Sequence, residues 1–161
     1  MKETARAKVM FVCLGNACRS PMAEAIALRD AADVMEVSSA GLTPLGRVEP
    51  MTKRILAKNG FPADELSSKP VSLSALNEAE IVINMSGRSR EIAFDEPAKV
   101  EDWYVEDPYG ADAELYQRIF EDIERRVAEL AERLRNAGET GTIPRNVKGK
   151  GHNTPARSRR R

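Results

Sequence analysis

Residues 9–13, Val-Met-Phe-Val-Cys, form an unbroken apolar run that leads directly into Leu14-Gly15-Asn16-Ala17-Cys18-Arg19 and then Ser20-Pro21-Met22-Ala23. Apolar side chains without polar alternation suit a strand covered on both faces, as in the middle of a parallel sheet. A parallel strand cannot return through a tight hairpin and is normally followed by a crossover helix. Ser20-Pro21 offers an N-cap type residue and then a ring-locked residue suited to the first helical position. Met22, Ala25, Ile26 and Arg29 recur behind it at helical spacing. The unit is a strand, a tight loop and a helix.

The unit repeats along the chain. Val34 to Ala40 reads as a second strand, Pro50 to Asn59 as a helix closed by Gly60, and residues 71 to 77 as a short helix. Ala79 to Met85, around Ile81-Val82-Ile83, reads as a third strand, and Ala98 to Trp103 as a weaker fourth. From Asp112 to about Asn136, the residues Leu115, Ile119, Ile123, Val127, Leu130 and Leu134 trace one face of a long amphipathic helix that Gly138 is expected to stop. Alternating strands and helices predict an α/β fold of three layers, with a four-stranded parallel sheet flanked by helices. Ligands bind such sheets beyond the carboxyl ends of the strands, where residues 14–19 fall.

A chain of 161 residues suits one domain with a single core. The formal net charge of zero conceals an asymmetry, because residues 139–161 carry seven Lys/Arg against Glu139 alone. Residues 1–138 are therefore expected to form the folded domain. Residues 139–161, poor in apolar side chains, are expected to be a basic, disordered tail. A nucleic acid or an acidic partner is conceivable only through that tail. No secretory signal, transit peptide or long apolar run is visible, and two cysteines so close together do not staple a fold. The expectation is a cytoplasmic protein without membrane association.

A loop that leaves a buried strand and enters a helix N-terminus presents unpartnered backbone N–H groups in a partly positive field, which attracts an anion. Gly15 is expected to supply dihedrals and close approaches that a Cβ forbids, and Asn16 tolerates left-handed geometry while tying the loop together. Arg19 adds a charged fork that matches two phosphate oxygens. The same field favours a thiolate over a thiol, which makes Cys13 the expected nucleophile, with Ser20 placed to hydrogen-bond its sulfur and to cap the helix.

The stretch Val12-Cys13-Leu14-Gly15-Asn16-Ala17-Cys18-Arg19-Ser20-Pro21 resembles the Cys-x5-Arg signature loop of the low-molecular-weight protein tyrosine phosphatase family. Ser38-Ser39-Ala40-Gly41 is similar to that family's Ser-Ala-Gly segment, and Asp107-Pro108-Tyr109-Gly110 to its late Asp-Pro-aromatic motif. The likeness runs in order over roughly residues 8 to 137. It implies a flavodoxin-like strand order and a metal-independent, cofactor-free hydrolysis of a phosphomonoester, foremost protein phosphotyrosine or a small aryl phosphate. It implies Cys13 as nucleophile, Arg19 as phosphate clamp and Asp107 as general acid and base, with inorganic phosphate as product. Leu14, Gly15, Asn16, Ala17, Cys18 and Ser20 would cradle the phosphate. Ser39 would support the loop, and Trp103, Tyr104 and Tyr109 would wall the site, with Glu101, Asp102 and Glu106 making the approach acidic.

Competing readings remain at this stage. Cys13 and Cys18 do not suit zinc, because the sole histidine of the chain is His152. Cys18 is either a redox partner of Cys13 or a small packing residue. Asp107-Pro108-Tyr109-Gly110 is a sound turn in its own right. Trp103 and Tyr104 are equally at home as plain core or surface residues. Many members of the family carry a histidine near Leu66-Ser67-Ser68-Lys69, absent here, which puts a loop network through that residue in doubt. Arsenate reductase activity with an external thiol, protein-arginine phosphatase activity and a non-catalytic phosphate-binding module are the alternatives. Ala17 is smaller than the isoleucine common in tyrosine-directed members and lacks the threonine hydroxyl of arginine-directed ones, so it leaves both substrates open.

Overall fold

The computed structural model describes residues 5–140. Of the expected disordered tail, residues 139–140 instead continue the long final helix, and residues 141–161 lie outside the described residues. A four-stranded sheet is built from β1 (Ala7–Cys13), β2 (Met35–Gly41), β3 (Ile81–Asn84) and β4 (Val100–Asp102). All neighbours are parallel and the order is β2-β1-β3-β4. The helices are α1 (Arg19–Asp30), α2 (Pro50–Lys58), α3 (Leu73–Glu78), α4 (Arg90–Ala93) and α5 (Ala113–Thr140). The expected α/β architecture and strand order are both present.

The apolar run of β1 behaves as a doubly covered strand must. Val9, Phe11 and Cys13 join the larger core, which includes Met22 and Ile26 of α1, Ile55 and Leu56 of α2, and the apolar stripe of α5. Met10 and Val12 point the other way, into a smaller cluster with Val82, Phe94 and Val100. This is the period of two along a strand, applied to two apolar faces. Phe11 and Val12 are completely shielded from solvent.

Several boundaries differ from the sequence reading. The helix predicted to begin behind Ser20 begins at Arg19, with Cys18 at the N-cap and no side-chain cap bond. Ser20 lies inside the first turn, its hydroxyl engaged by Cys13 and Asn16 instead of a backbone N–H. Gly138 does not stop α5, which continues to Thr140. That glycine is not among those with positive φ, so no left-handed cap forms there, whereas Gly60 does adopt φ 84° behind α2. The weak fourth strand shrinks to three residues because Pro97–Lys99 form a turn of 3₁₀ helix before it. On α5 the buried stripe includes Tyr116 and Phe120, whereas Leu115, placed on it by the sequence reading, is only partly buried.

Candidate active site

The loop from Leu14 to Cys18 wraps the carboxyl end of β1, and its carbonyl groups are drawn outward. Cys13 O accepts from Leu42 N at 3.1 Å, Leu14 O from Thr43 N at 2.8 Å and Gly15 O from Leu45 N at 2.9 Å. Ala17 O accepts from Glu49 N at 3.0 Å and from Thr52 Oγ1 at 2.9 Å. With the carbonyls spent on the surrounding chain, the amide N–H groups remain for the concave side. The Ser20 N–H, 3.4 Å from Cys13 Sγ, faces inward in this way.

Asn16 is the residue that bends the loop. Among the described residues it is the one non-glycine with positive φ, at 50°, a region that asparagine enters at low cost. Gly15, expected to supply that conformation, does not; a Cβ there would instead meet Leu45 Cδ1 at 2.9 Å. The close approach occurs at Gly41, where a Cβ would come within 2.9 Å of Asn16 and 2.8 Å of Leu14 O. The glycine of the Ser-Ala-Gly segment is thus the surface on which the loop rests.

The Asn16 amide has a fixed orientation. Lys69 N–H can only donate, and it lies 2.9 Å from Asn16 Oδ1, with Lys69 Nζ at 3.4 Å from the same oxygen. Asn16 Nδ2 then donates to Ser20 Oγ at 2.7 Å and to Ser39 Oγ at 3.0 Å, and Ser39 Oγ donates to Glu24 Oε1 at 2.5 Å. Ser20 Oγ must accept from Asn16, and the acceptor nearest to its own proton is Cys13 Sγ at 3.0 Å, with Ala40 O farther off at 3.4 Å. The network ends with the Ser20 hydroxyl and the Ser20 N–H both directed at the sulfur. Main-chain Lys69 thus holds the amide in the region where a histidine was missed. Neither Lys69 nor Glu24 was singled out from sequence; the absent histidine was the one available pointer.

Arg19 is 6% exposed and crosses from the loop to the far side of the site. Its Nη1 donates to Met85 O at 2.7 Å and Val105 O at 3.1 Å, and Nη2 lies 3.5 Å from Asp107 Oδ2. Its Nε is buried without a protein acceptor. Asp107 Oδ1 accepts from Tyr109 N at 3.1 Å, so the turn reading and the site reading of this motif coexist. A cavity of about 260 Å³ is lined by the loop, by Thr43 and Leu45, and by Asp107 and Tyr109. The structure therefore brings Cys13, Arg19, Asp107 and Tyr109 together.

It does not bring Trp103 and Tyr104 there. Trp103 N continues the ladder to Asn84 O at 2.9 Å, so successive side chains leave on opposite sides. Trp103 turns inward, packs on Phe11 with centroids 5.9 Å apart and donates Nε1–H to Glu101 Oε2. Tyr104 turns outward, 69% exposed. The acidic approach is largely neutralised, because Glu101 pairs with Arg133, and Asp102 with Asn84 and Arg90.

Cys18, also free, has a different setting from Cys13. Its sulfur accepts from Tyr116 Oη at 3.0 Å beneath the loop, and burial pushes its thiol from 9.0 up to about 11. The Tyr116 phenol is raised as well, first by burial and then by the bond to Cys18. A folded state that holds these protons longer than the unfolded chain is stabilised below about pH 9 and loses that stability as pH rises toward 11. Urea unfolding at neutral pH and at pH 11 is expected to show a loss on the order of 2 kcal/mol from the thiol alone. Cys18→Ala should reduce the loss, and an alkaline loss of undiminished size in that variant would refute the assignment.

The model of the low molecular weight phosphotyrosine protein phosphatases matches residues 8–140, the whole sheet and its helices. The chain belongs to this family. Among relatives of this phosphatase family, a putative arsenate reductase of Halobacterium salinarum is 33% identical over 135 residues, covering 81% of this chain and 94% of that protein. A probable low molecular weight protein-tyrosine-phosphatase, EpsP, of Ralstonia solanacearum is 30% identical over 142 residues, covering 81% and 97%. The solved YwlE arginine phosphatase of Geobacillus stearothermophilus superposes with a TM-score of 0.76 at 26% identity, covering 86% of this chain and 99% of that one. The names of these three relatives thus cover arsenate reduction, phosphotyrosine hydrolysis and phosphoarginine hydrolysis.

Proposed function

We propose that this enzyme hydrolyses phosphomonoesters, with protein phosphotyrosine as the preferred class, through a cysteinyl-phosphate intermediate. The observation that carries this reading is that Cys13, 2% exposed, lines one cavity together with Arg19 and Asp107. Cys13 Sγ forms a bond to phosphorus as the bond to the leaving oxygen breaks. Arg19 Nε and the loop amides receive the equatorial oxygens, and Asp107 gives its proton to the leaving oxygen. Asp107 then takes a proton from the water that attacks phosphorus, which releases Sγ and inorganic phosphate.

Depth and lining support an aryl ester. A buried sulfur is within reach of a long, flat side chain, whereas a phosphoserine would have to bring its own backbone to the cavity floor. Leu45 and Tyr109 offer the apolar and aromatic contact that a phenyl ring uses. A phosphoarginine guanidinium calls for a free carboxylate, and Asp107, the carboxylate lining the cavity, already faces Arg19. An arsenate cycle needs a second reactive thiol, and Cys18 is buried, hydrogen-bonded and protonated well above neutral pH. Two free thiols and the phosphate chemistry also suit a reducing, cytoplasmic setting. Among the described residues no helix is long and apolar enough to cross a membrane.

The test is a comparison of kcat/KM on phosphotyrosine, phosphoarginine and phosphoserine peptides of one sequence. Phosphotyrosine should lead and phosphoserine should be poorest; a preference for phosphoserine, or arsenate turnover with an external thiol outrunning ester hydrolysis, would refute the reading.

A further inference from the structure

Beside the Cys13 cavity lies a much larger groove of about 930 Å³, and Arg19 lines both. One wall is the segment from β3 to α4, residues 84–91, and the other is residues 102–106. Arg19 Nη1 ties the two walls together, because Met85 O belongs to the first and Val105 O to the second. The first wall is also braced internally. Asn84 Nδ2 donates to Arg88 O at 2.9 Å and to Asp102 Oδ1 at 2.8 Å, while Asn84 Oδ1 accepts from Ser86 N and Oγ. The groove is therefore preformed and joined to the reactive site through a residue of that site.

A tetrahedral oxyanion needs only the loop, whereas a groove of this size beside it has room for the chain on either side of a phosphorylated residue. Its charges are mostly spent. Arg90 lies 3.6 Å from Glu91 and 3.7 Å from Asp102. Arg88, exposed, has no carboxylate within ion-pair range among the described residues. Tyr104 presents an exposed ring on the opposite wall, and Glu106 places an exposed carboxylate there beside Asp107. We propose that this groove seats the polypeptide flanking the phosphorylated side chain, with the Tyr104 ring as a contact surface for that polypeptide whatever its charge, and that the unpaired Arg88 favours substrates with an acidic residue on its side of the groove. The proposal deepens the phosphatase reading and rests on it.

Steady-state kinetics of the full chain test it on three probes: p-nitrophenyl phosphate, a phosphotyrosine peptide flanked by glutamates, and the same peptide flanked by lysines. The glutamate peptide should have the higher kcat/KM with the native chain. Arg88→Glu leaves the groove acidic on both sides, so it should lower kcat/KM for the glutamate peptide roughly five- to tenfold through KM and improve the lysine peptide. Tyr104→Ala should weaken both peptides, and neither variant should change p-nitrophenyl phosphate by more than about twofold. Equal rates on the two peptides, or an equal loss on all three probes in Arg88→Glu, would overturn the proposal. Absence of turnover on every probe by the native chain would overturn the phosphatase reading itself, and the groove assignment with it.

Discussion

Cys13→Ser is expected to abolish turnover while leaving the oxyanion site intact. The hydroxyl that replaces the sulfur is a far weaker nucleophile, and its hydrogen-bond neighbour, the Ser20 hydroxyl, is not a base that could activate it. The loss in kcat should be on the order of 10⁴-fold or more. Binding of inorganic phosphate should persist, because Arg19 and the outward-anchored loop are untouched. Calorimetric titration with phosphate separates the two effects. Loss of both turnover and phosphate binding would mean that Cys13 holds the loop together instead of attacking phosphorus.

Asp107→Asn removes the proton that the leaving group needs. It should depress kcat by about 10²- to 10³-fold for substrates whose leaving alcohol or phenol is a poor one, and far less for p-nitrophenyl phosphate, whose leaving group departs without help. The variant also loses the ion pair with Arg19, but the guanidinium keeps its bonds to Met85 O and Val105 O, and the carboxylate is half exposed. Unfolding midpoints should accordingly be unchanged. A uniform loss across leaving groups would assign Asp107 to orientation of Arg19 and not to proton transfer.

The parts of this fold that were legible in the sequence are those in which one physical term dominates. The run Val9 to Cys13 declared a doubly buried strand because no polar residue interrupts it, and β1 divides its side chains between two cores accordingly. The Cys-x5-Arg stretch was legible as a tight loop from β1 into α1, and the structure sets Cys13, Arg19 and Asp107 around one cavity there. What sequence could not supply were features decided by distant chain. Ser20 looked like a cap, but Asn16 and Cys13 compete for its hydroxyl and win. Trp103 and Tyr104 looked like site walls because they precede Asp107, yet strand alternation sends one into the core and the other into a groove outside the cavity. Lys69 closes the network on Asn16 from 53 residues downstream, and Glu24 closes it through Ser39, which follows Glu24 by 15 residues. No local pattern announces such partners. Gly138 carried a stop signal that propensity alone did not enforce, since a glycine in a helix costs only about 1 kcal/mol.

Every functional statement depends on phosphorus being carried, for part of each turnover, by the sulfur of Cys13. Acid quenching of the native enzyme within its first turnover on p-nitrophenyl phosphate, followed by mass spectrometry of the peptide that contains residues 9–19, examines that directly. Phosphate on Cys13, appearing with the first equivalent of released phenol and vanishing when substrate is exhausted, is the expected result. Release of phenol and phosphate together with no adduct at any quench time, or an adduct on a different residue, would contradict it.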